Sequence, residues 1–323
     1  MNSSSQVTSG ATYAMSYLHD LAGELTSFTF PSGRIQGIGF DNGGRANCVT
    51  NGALSPGAAC NSVPDYASSF AYFANGALAN VSLGPNSLIQ QYCQNSLLQI
   101  VGVRLGPVGG STTSPTLNGP CPNSNPTNFA QGDILNLALT WGSSGQDNGN
   151  LTAQTIANND ASSLNVEQQF AYDAYNRLML AVETPTSSAP TVNANSTNSC
   201  PAGLSGNVWC QGYGYDAFGN RWVTNWTSGS YGYPMSTFTP TASSWYPAAN
   251  RLTNAALPVQ YDNGTTNGPG NLTAVGGFTY VYDAENRQTQ SIINSVATNY
   301  SYDGEGRRVT KATGSANTTY VYL

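Results

Sequence analysis

The side chains most able to support chemistry in this chain are carboxylates. The chain's one histidine, His19, precedes Asp20, and such a pair could activate a nucleophile, but no serine lies in a Gly-x-Ser-x-Gly elbow. Asp-Asn-Gly runs at 147–149 and 262–264 suggest calcium ligands, because oxygen-rich turns bind calcium. The alternating carboxylates of an EF-hand are missing, however, so the sequence favours turn capping for these aspartates.

Other patterns that can carry chemistry also have a structural interpretation. The carboxylates at 283, 285, 303 and 305 fit paired turns at the rim of a sheet better than acid–base catalysis. Glycine-rich stretches at 37–44 and 106–110 lack the lysine of a phosphate loop. No cysteine pair has the Cys-x-x-Cys spacing of a zinc or redox site. We therefore predict no catalytic residue, no cofactor and no metal.

Most of the aspartates belong to one repeated pattern: aromatic-x-aromatic-Asp, two residues, Gly or Asn, then Arg and an apolar residue. The clearest copies span 280–287 and 300–307. The residues assigned to the turns are Asp20, Gly23, Asp41, Gly44, Asp173, Asn176, Asp216, Gly219, Asn250, Asp262, Asp283, Asn286, Asp303 and Gly306. The residues assigned as repeat aromatics are Tyr17, Phe40, Phe170, Tyr172, Tyr213, Tyr215, Tyr246, Tyr261, Tyr280, Tyr282, Tyr300 and Tyr302.

Each half of the pattern predicts part of a β-hairpin. The two aromatic residues share one face of a strand because they are two positions apart. Aspartate can accept backbone N–H groups within a turn, and Gly or Asn tolerates the positive φ that follows a type I turn. Several successive copies are 20 or 21 residues apart, enough for two strands and two turns. Residues 70–78 resemble a unit whose aspartate is lost, and Tyr92 begins another candidate.

The sequence therefore predicts an all-β fold of antiparallel strands built from repeated hairpins, with little helix. One window, 151–168, is compatible with a short helix, although strand–turn–strand fits the repeat better. We expect a degenerate repeat region at 1–106, an insertion rich in Gly, Pro, Ser and Asn at 107–132, and clearer repeats at 133–323. The two repeat regions are expected to form one continuous domain.

These units resemble the YD repeats of the RHS and teneurin-like families. The similarity is strong over about 166–323 and loose over about 12–106, and Pro31-Ser32-Gly33-Arg34 is similar to the stretch between repeats in that family. The resemblance implies a sheet that spirals into a shell or solenoid. In bacterial RHS proteins such shells are containers around a C-terminal toxin, and in other relatives they are surface adhesion modules. Neither the aspartyl self-cleavage motif nor a toxin is recognised in these residues.

The amino-acid composition argues against some classes of binding partner, nucleic acid among them. Only 8% of the 323 residues are charged and the net charge is −6, while aromatic residues make up 11%, which argues against disorder. With one lysine and nine arginines there is no basic patch for nucleic acid. No stretch has the length of a membrane-spanning helix, and the N-terminus lacks the features of a signal peptide. Six cysteines and few lysines nevertheless indicate an extracellular or cell-surface protein.

The cysteines allow fifteen pairings, and the sequence alone does not choose between them. We favour the sequential pairs because each would close an insertion between repeat units, with reduced thiols as the alternative. The candidates are Cys48 with Cys60, Cys93 with Cys121, and Cys200 with Cys210.

The predicted function is a non-catalytic scaffold or shell segment of a secreted or cell-surface bacterial RHS-like protein. Its expected partners are the rest of a larger polypeptide or copies of itself. One alternative is a self-assembling filament subunit, because an incomplete sheet leaves unpaired edges. The other is an adhesion module that binds surface glycans through aromatic platforms, and its candidate residues are Trp209, Trp222, Trp226 and Trp245.

Overall fold

The computed structural model is almost entirely antiparallel β-structure. It describes residues 3–54, 60, 65–84, 88–107, 133–142, 147–158, 164–185, 198–202, 204, 208–227, 239–246, 251–253, 257–262 and 270–322. Within these ranges the helical structure consists of short 3-10 segments such as Ser243–Trp245, and no α-helix is present. The prediction of an all-β fold with little helix is confirmed.

In the described residues, twenty-two strands form two sheets, and in each sheet every strand lies beside its neighbour in sequence. This order is what a chain of consecutive hairpins produces. The fifteen-stranded sheet contains β1 Ser3–Thr8, β2 Ala11–His19, β3 Leu25–Thr29, β4 Ile35–Phe40, β5 Ala46–Thr50, β6 Asp65–Tyr72, β7 Leu78–Leu83, β8 Leu88–Gln94, β9 Ile100–Pro107, β10 Leu135–Thr140, β11 Ala153–Asn158, β12 Leu164–Tyr172, β13 Leu178–Pro185, β14 Trp209–Tyr215 and β15 Arg221–Thr227. The seven-stranded sheet contains β16 Val259–Tyr261, β17 Leu272–Val275, β18 Phe278–Tyr282, β19 Gln288–Ile293, β20 Val296–Tyr302, β21 Arg308–Thr313 and β22 Ala316–Thr319.

The hairpins share one irregularity of register. Between β18 and β19, Val281 pairs with Gln290 but the next residue, Tyr282, pairs with Gln288, so β19 carries one extra residue. The same shift immediately before the turn occurs in the hairpins β2–β3, β4–β5, β6–β7, β8–β9, β12–β13, β16–β17 and β20–β21. The extra residue follows the left-handed residue of the turn by two or three positions, stays unpaired in the ladder and bends the return strand locally.

Side chains alternate across the strands as the aromatic spacing predicts. In β18, Tyr280 and Tyr282 are half-buried while Val281 between them is 48% exposed. The window at 151–168 is occupied by β11 and by the start of β12, so the helical alternative is wrong for its described residues, and 159–163 lie outside them.

The Cα positions cluster into two compact units. One comprises Met1–Ser3, Met15–Tyr213 and Thr224–Tyr233, and the other Ser4–Ala14, Gly214–Val223 and Pro234–Leu323. Residues 108–132, which make up nearly all of the predicted insertion, lie outside the described residues, and the three-region division stays a prediction. No described helix has the length and apolar character needed to cross a membrane.

Inserted segments are fastened to the larger unit by disulfides. Cys48–Cys60 and Cys200–Cys210 are bonded, with Cα–Cα distances of 5.8 and 5.9 Å, as the sequential pairing predicts. Cys93 is also disulfide-bonded, and its predicted partner, Cys121, lies outside the described residues. The buried cluster Ala171, Leu180, Val182 and Cys210 packs against Met179, Cys200 and Leu204, so the Cys200–Cys210 disulfide lies within an apolar core.

Glycines allow these segments to lie against the backbone of the sheet. Gly39 pairs with Cys48, and a Cβ on Gly39 would come within 2.9 Å of the Cys60 sulfur. A Cβ on Gly212 would stand 1.7 Å from the carbonyl oxygen of Asn198, in the segment that Cys200 fastens. A side chain at either position would collide with the segment that lies over it, so glycine is required at both.

We expect Gly212→Ala to destabilise the fold by about 1–3 kcal/mol or more, because a methyl group there displaces backbone atoms of the covering segment. Gly304→Ala is the matched control, since a Cβ at Gly304 meets nothing within 4 Å and the residue is exposed; its effect should stay within about 0.5 kcal/mol. Urea unfolding followed by circular dichroism measures both. Equal effects of the two substitutions would contradict the close packing at Gly212.

Candidate functional surface: the aspartate turns

The repeated turns share one backbone geometry. The N–H of Asp283 donates to the carbonyl of Arg287 (3.0 Å), and the N–H of Asn286 donates to the carbonyl of Asp283 (3.1 Å). Asn286 has φ +62°, in the left-handed region. The corresponding residues in other copies also have positive φ: Gly23, Gly44, Asn176, Gly219 and Gly306. The left-handed position explains the restriction to Gly or Asn.

Each aspartate side chain completes its own turn. Oδ1 of Asp283 accepts the backbone N–H groups of Glu285 and Arg287, both at 2.9 Å. Oδ2 accepts Nε of Arg287 at 2.8 Å. The same three contacts occur at Asp41, Asp173 and Asp303. Both carboxylate oxygens are therefore occupied by donors of the same turn.

These donors favour the ionised carboxylate and lower its pKa. For Asp283 and Asp303 the leading cause of the lowered pKa is the backbone N–H of the arginine four residues later, and for Asp41 it is the Arg45 side chain. Burial acts in the opposite direction on the pKa of Asp173, but the hydrogen bonds from Arg177 outweigh it. A carboxylate held ionised by its own turn is poorly suited to proton transfer.

In several copies the arginine also connects the turn to the following repeat. The Arg287 guanidinium lies 5.2 Å from the ring centroid of Tyr302, whose hydroxyl donates to the carbonyl of Gln288 at 2.7 Å. We call this arrangement the Asp–Arg–Tyr clamp: the aspartate and arginine of one turn and the second aromatic residue of the next copy. It recurs with Asp303, Arg307 and Tyr322, and with Asp41, Arg45 and Tyr72.

The tyrosine half of the clamp is used even where the arginine is absent. Tyr172 donates through its hydroxyl to the carbonyl of Leu151 at 2.8 Å, and Tyr246 donates to that of Arg221 at 3.0 Å. Tyr261 makes the same contact with the carbonyl of Leu252 at 3.1 Å, and there the guanidinium of Arg251 does lie over the ring, at 5.2 Å. The second aromatic residue of a copy thus satisfies a backbone acceptor where the return strand of the preceding hairpin begins.

The arginine position varies, and each replacement has its own consequence. Asn220 donates from Nδ2 to Oδ2 of Asp216 at 2.7 Å and so substitutes for arginine within the turn. Glu24 takes this position beside Asp20, and burial, followed by the hydrogen bond and charge of Asp20, raises the pKa of Glu24.

The candidate unit that begins at Tyr92 contains a complete turn whose residues were not assigned from the sequence. Oδ1 of Asn95 accepts the N–H groups of Leu97 (2.9 Å) and Gln99 (3.0 Å), and Nδ2 of Asn95 donates to Oε1 of Gln99 (2.6 Å). Leu98 has φ +65°. Asn95 and Gln99 take the places of the aspartate and the arginine of the other turns. The signal available in the sequence was their separation of four residues, directly after the strand that contains Tyr92 and Gln94.

A second feature that sequence analysis missed is a buried ion pair. The side chain of Asp133 is fully buried, and that of Arg104 is 13% exposed. Nε of Arg104 donates to Oδ1 of Asp133 at 2.6 Å, while NH1 donates to Oε1 of Gln91 at 2.8 Å. The pair ties the residues just before β10 to β8 and β9, so its visible role is structural.

The remaining candidates do not assemble into a site. His19 is exposed at the end of β2, and Oδ1 of Asp20 accepts the N–H groups of Ala22 and Glu24. In the described ranges no group of three or more His, Cys, Asp or Glu residues is placed to hold a metal. Asn250 lies outside the described residues, as do 263 and 264 of the Asp-Asn-Gly run that begins at Asp262.

The four tryptophans proposed as a glycan platform differ in exposure. Trp209, Trp222 and Trp245 are half-buried, and Trp226 is 48% exposed. Trp222 lies so close to Gly214 that a Cβ there would meet its ring at 2.6 Å. Glycan binding through these residues stays a prediction.

Comparison with solved structures identifies the fold. The chain is similar to the structures described as TcdB2-TccC3-TEV (TM-score 0.59, 15% identity) and TcdB2-TccC3-Cdc42 (TM-score 0.60, 15% identity). It is also similar to the Photorhabdus luminescens Tc holotoxin pore carrying the mutation TccC3-D651A (TM-score 0.58, 16% identity). Each match covers 96% of this chain and 14% of the other. The fold is RHS/YD-repeat-like, as the sequence resemblance implies.

The chain spans about one seventh of the length of the chains it matches, at 14% coverage. No protein-family model and no curated protein matches it.

We expect Tyr302→Phe to lower the free energy of unfolding by about 1–2 kcal/mol, because the carbonyl of Gln288 loses its donor and Arg308 loses an acceptor. Tyr175→Phe is the control: the Tyr175 ring is 80% exposed, and no described residue bonds its hydroxyl. Its effect should stay within about 0.5 kcal/mol. Urea unfolding provides the comparison, and a Tyr302→Phe effect no larger than that of the control would exclude the hydroxyl bond as a stabilising contact.

Acid should weaken the fold through the turn aspartates. Their folded pKa values are lowered, so their contribution to stability is present above the unfolded pKa of about 3.9 and is lost as pH falls through the folded values. The residues are Asp20, Asp41, Asp173, Asp216, Asp283 and Asp303. We expect the urea midpoint to fall steadily below about pH 4.

The variant Asp303→Asn should reduce this pH dependence, since the amide oxygen still accepts the two N–H groups but carries no titrating charge. Glu305→Gln is the matched control, because that side chain is 74% exposed. If both variants kept the wild-type pH profile, ionisation of the turn aspartate would not be the source of the acid sensitivity.

Proposed function

We propose that this chain is a non-catalytic structural segment of the wall of a larger RHS-like polypeptide. The similarity of nearly the whole chain to a small part of the TcdB2-TccC3 structures supports this proposal, because it matches a segment of a long chain. The same comparison favours a scaffold over an enzyme. The expected partner is the remainder of that larger polypeptide.

The observation that carries the proposal is the Asp–Arg–Tyr clamp. Its aspartate is occupied by its own turn, while its arginine and tyrosine are occupied by contacts between successive repeats. One hairpin cannot bury a hydrophobic face by itself and depends on its neighbours. Polar groups that would serve a substrate in an active site are here used to hold the repeats in order.

We further propose that the protein works outside the cell or at its surface. Disulfides persist in oxidising compartments and are rare in the cytosol, and Cys48–Cys60 and Cys200–Cys210 are disulfides that hold covering segments in place. The filament and glycan-binding alternatives remain predictions, and no specific contact favours either of them.

Limited proteolysis of the full polypeptide tests the role as part of a wall. We expect Asp283→Asn, which removes the charge that pairs with Arg287, to speed cleavage in the repeats on both sides of that turn as well as at the turn. Glu285→Gln is the control: its carboxylate also pairs with Arg287 (2.9 Å) but is 71% exposed, and because such an exposed pair contributes little, the cleavage rates should stay nearly unchanged. Cleavage confined to the altered turn would show that the repeats do not support one another.

Thiol labelling tests the location. We expect maleimide to label none of Cys48, Cys60, Cys200 and Cys210 in unfolded protein recovered from its native location until a reductant is added. Recovery of these four cysteines as reduced thiols would contradict an extracellular role, because exported proteins keep such bonds oxidised.

A further inference from the structure

One repeat of the seven-stranded sheet lacks the arginine of its clamp. The segment that begins at Asp262 is longer, but its ends keep part of the shared geometry. The N–H of Asp262 donates to the carbonyl of Asn271 (3.0 Å), and Oδ1 of Asp262 accepts the N–H groups of Gly270 (2.7 Å) and Asn271 (3.0 Å). Gly270 has φ +93°. Asn271 therefore occupies the position that arginine occupies in the next two turns.

The missing arginine leaves two groups without their usual neighbour. Nδ2 of Asn271 donates to Oδ1 of Asn286 at 3.0 Å, and no described residue donates to Oδ2 of Asp262. In the next turn the corresponding oxygen of Asp283 accepts Nε of Arg287. Tyr282, the tyrosine that follows the Asp262 turn, likewise has no guanidinium over its ring among the described residues.

An open cleft of about 470 Å³ lies at this place. Its walls include the carboxylates of Asp262 and Asp283, the rings of Tyr280 and Tyr282, and the amides of Asn271 and Asn286, and no lysine or arginine is among the lining residues. The volume falls within the usual range for small-ligand pockets, about 300–1,000 Å³. Burial, Tyr280 and the charge of Asp262 all raise the pKa of Tyr282, which places the carboxylate near that ring.

The arginines of the next two turns show which chemical group fits between such a carboxylate and such a ring. Arg287 places its guanidinium between the Asp283 carboxylate (2.8 Å) and the Tyr302 ring (5.2 Å). Arg307 repeats this with Asp303 (3.0 Å) and Tyr322 (5.2 Å). The preceding arginine, Arg251, lies over Tyr261 and does not line the cleft.

We propose that this cleft binds the side chain of an arginine supplied by a partner polypeptide. The guanidinium would donate to Oδ2 of Asp262 and stack against the Tyr282 ring, completing in trans the clamp that the chain leaves incomplete. A planar guanidinium can donate hydrogen bonds to the carboxylate and stack on the ring at the same time. The ammonium of lysine is compact and lacks both the paired N–H donors and the flat face. This site does not depend on whether the segment is a scaffold.

The test titrates the labelled protein with acetyl-Gly-Gly-Arg-Gly-Gly-amide and follows the backbone amide resonances around Asn271. We expect saturable but weak binding, with a dissociation constant of roughly tens of millimolar, because one exposed ion pair and one cation–π contact each contribute little. The lysine version of the peptide should bind at least about threefold more weakly. Free guanidinium at matched concentration should bind no more tightly than the arginine peptide.

Two substitutions address the site directly. Asn271→Arg should fill the cleft from within the chain, abolish peptide binding and leave the melting temperature equal or higher. Asp262→Asn should weaken binding about fivefold or more through loss of the charge-assisted bond. Glu305→Gln, which removes an exposed carboxylate from a different turn, should leave the affinity unchanged within about twofold.

The proposal fails if the wild-type protein shows no saturable binding, or if Asn271→Arg binds the peptide as tightly as the wild type. It also fails if Glu305→Gln weakens binding as much as Asp262→Asn, since binding would then reflect overall charge. Tighter binding of free guanidinium than of the arginine peptide would exclude a polypeptide as the source of the ligand. If Asp262→Asn unfolds, the Asn271→Arg result decides, because that variant retains the turn.

Discussion

The structure depends on a carboxylate that must satisfy the backbone of a turn containing a left-handed residue. A type I turn followed by such a residue leaves N–H groups pointing inward, and Oδ1 of aspartate accepts two of them. Oδ2 then remains for the arginine that begins the return strand. One side chain therefore stabilises the turn and fixes the direction of the guanidinium.

The guanidinium links this turn to the next repeat. It lies against the tyrosine of the following copy, and the hydroxyl of that tyrosine satisfies a carbonyl at the start of the return strand. With only 8% of residues charged, a large share of the arginines and aspartates is committed to these contacts. The repeats thus gain order from polar contacts where a globular domain would rely on a deep apolar core.

Replacements at the arginine position show how one geometry supports different outcomes. Asn220 bonds its aspartate, Gln99 bonds an asparagine, and Glu24 adds a carboxyl group whose pKa is raised. Asn271 instead donates to Asn286 of the following turn, and no described residue donates to Oδ2 of Asp262. The contacts that a turn makes therefore depend on the residue at its arginine position.

The sequence alone determined the hairpins, since aromatic residues two apart, aspartate, and Gly or Asn at a left-handed position each act within a few residues. It also indicated the RHS/YD-repeat-like fold and two of the disulfides. It suggested a unit beginning at Tyr92 but did not reveal that the uncharged Asn95 and Gln99 make the hydrogen bonds of its turn. It also did not reveal the Arg104–Asp133 pair, whose members are far apart in the chain. Only the tertiary structure decided which tyrosine each arginine meets and which glycines lie beneath the covering segments. Those contacts join residues of different hairpins, and their distances follow from strand register and the path of the inserted segments, which no local spacing encodes.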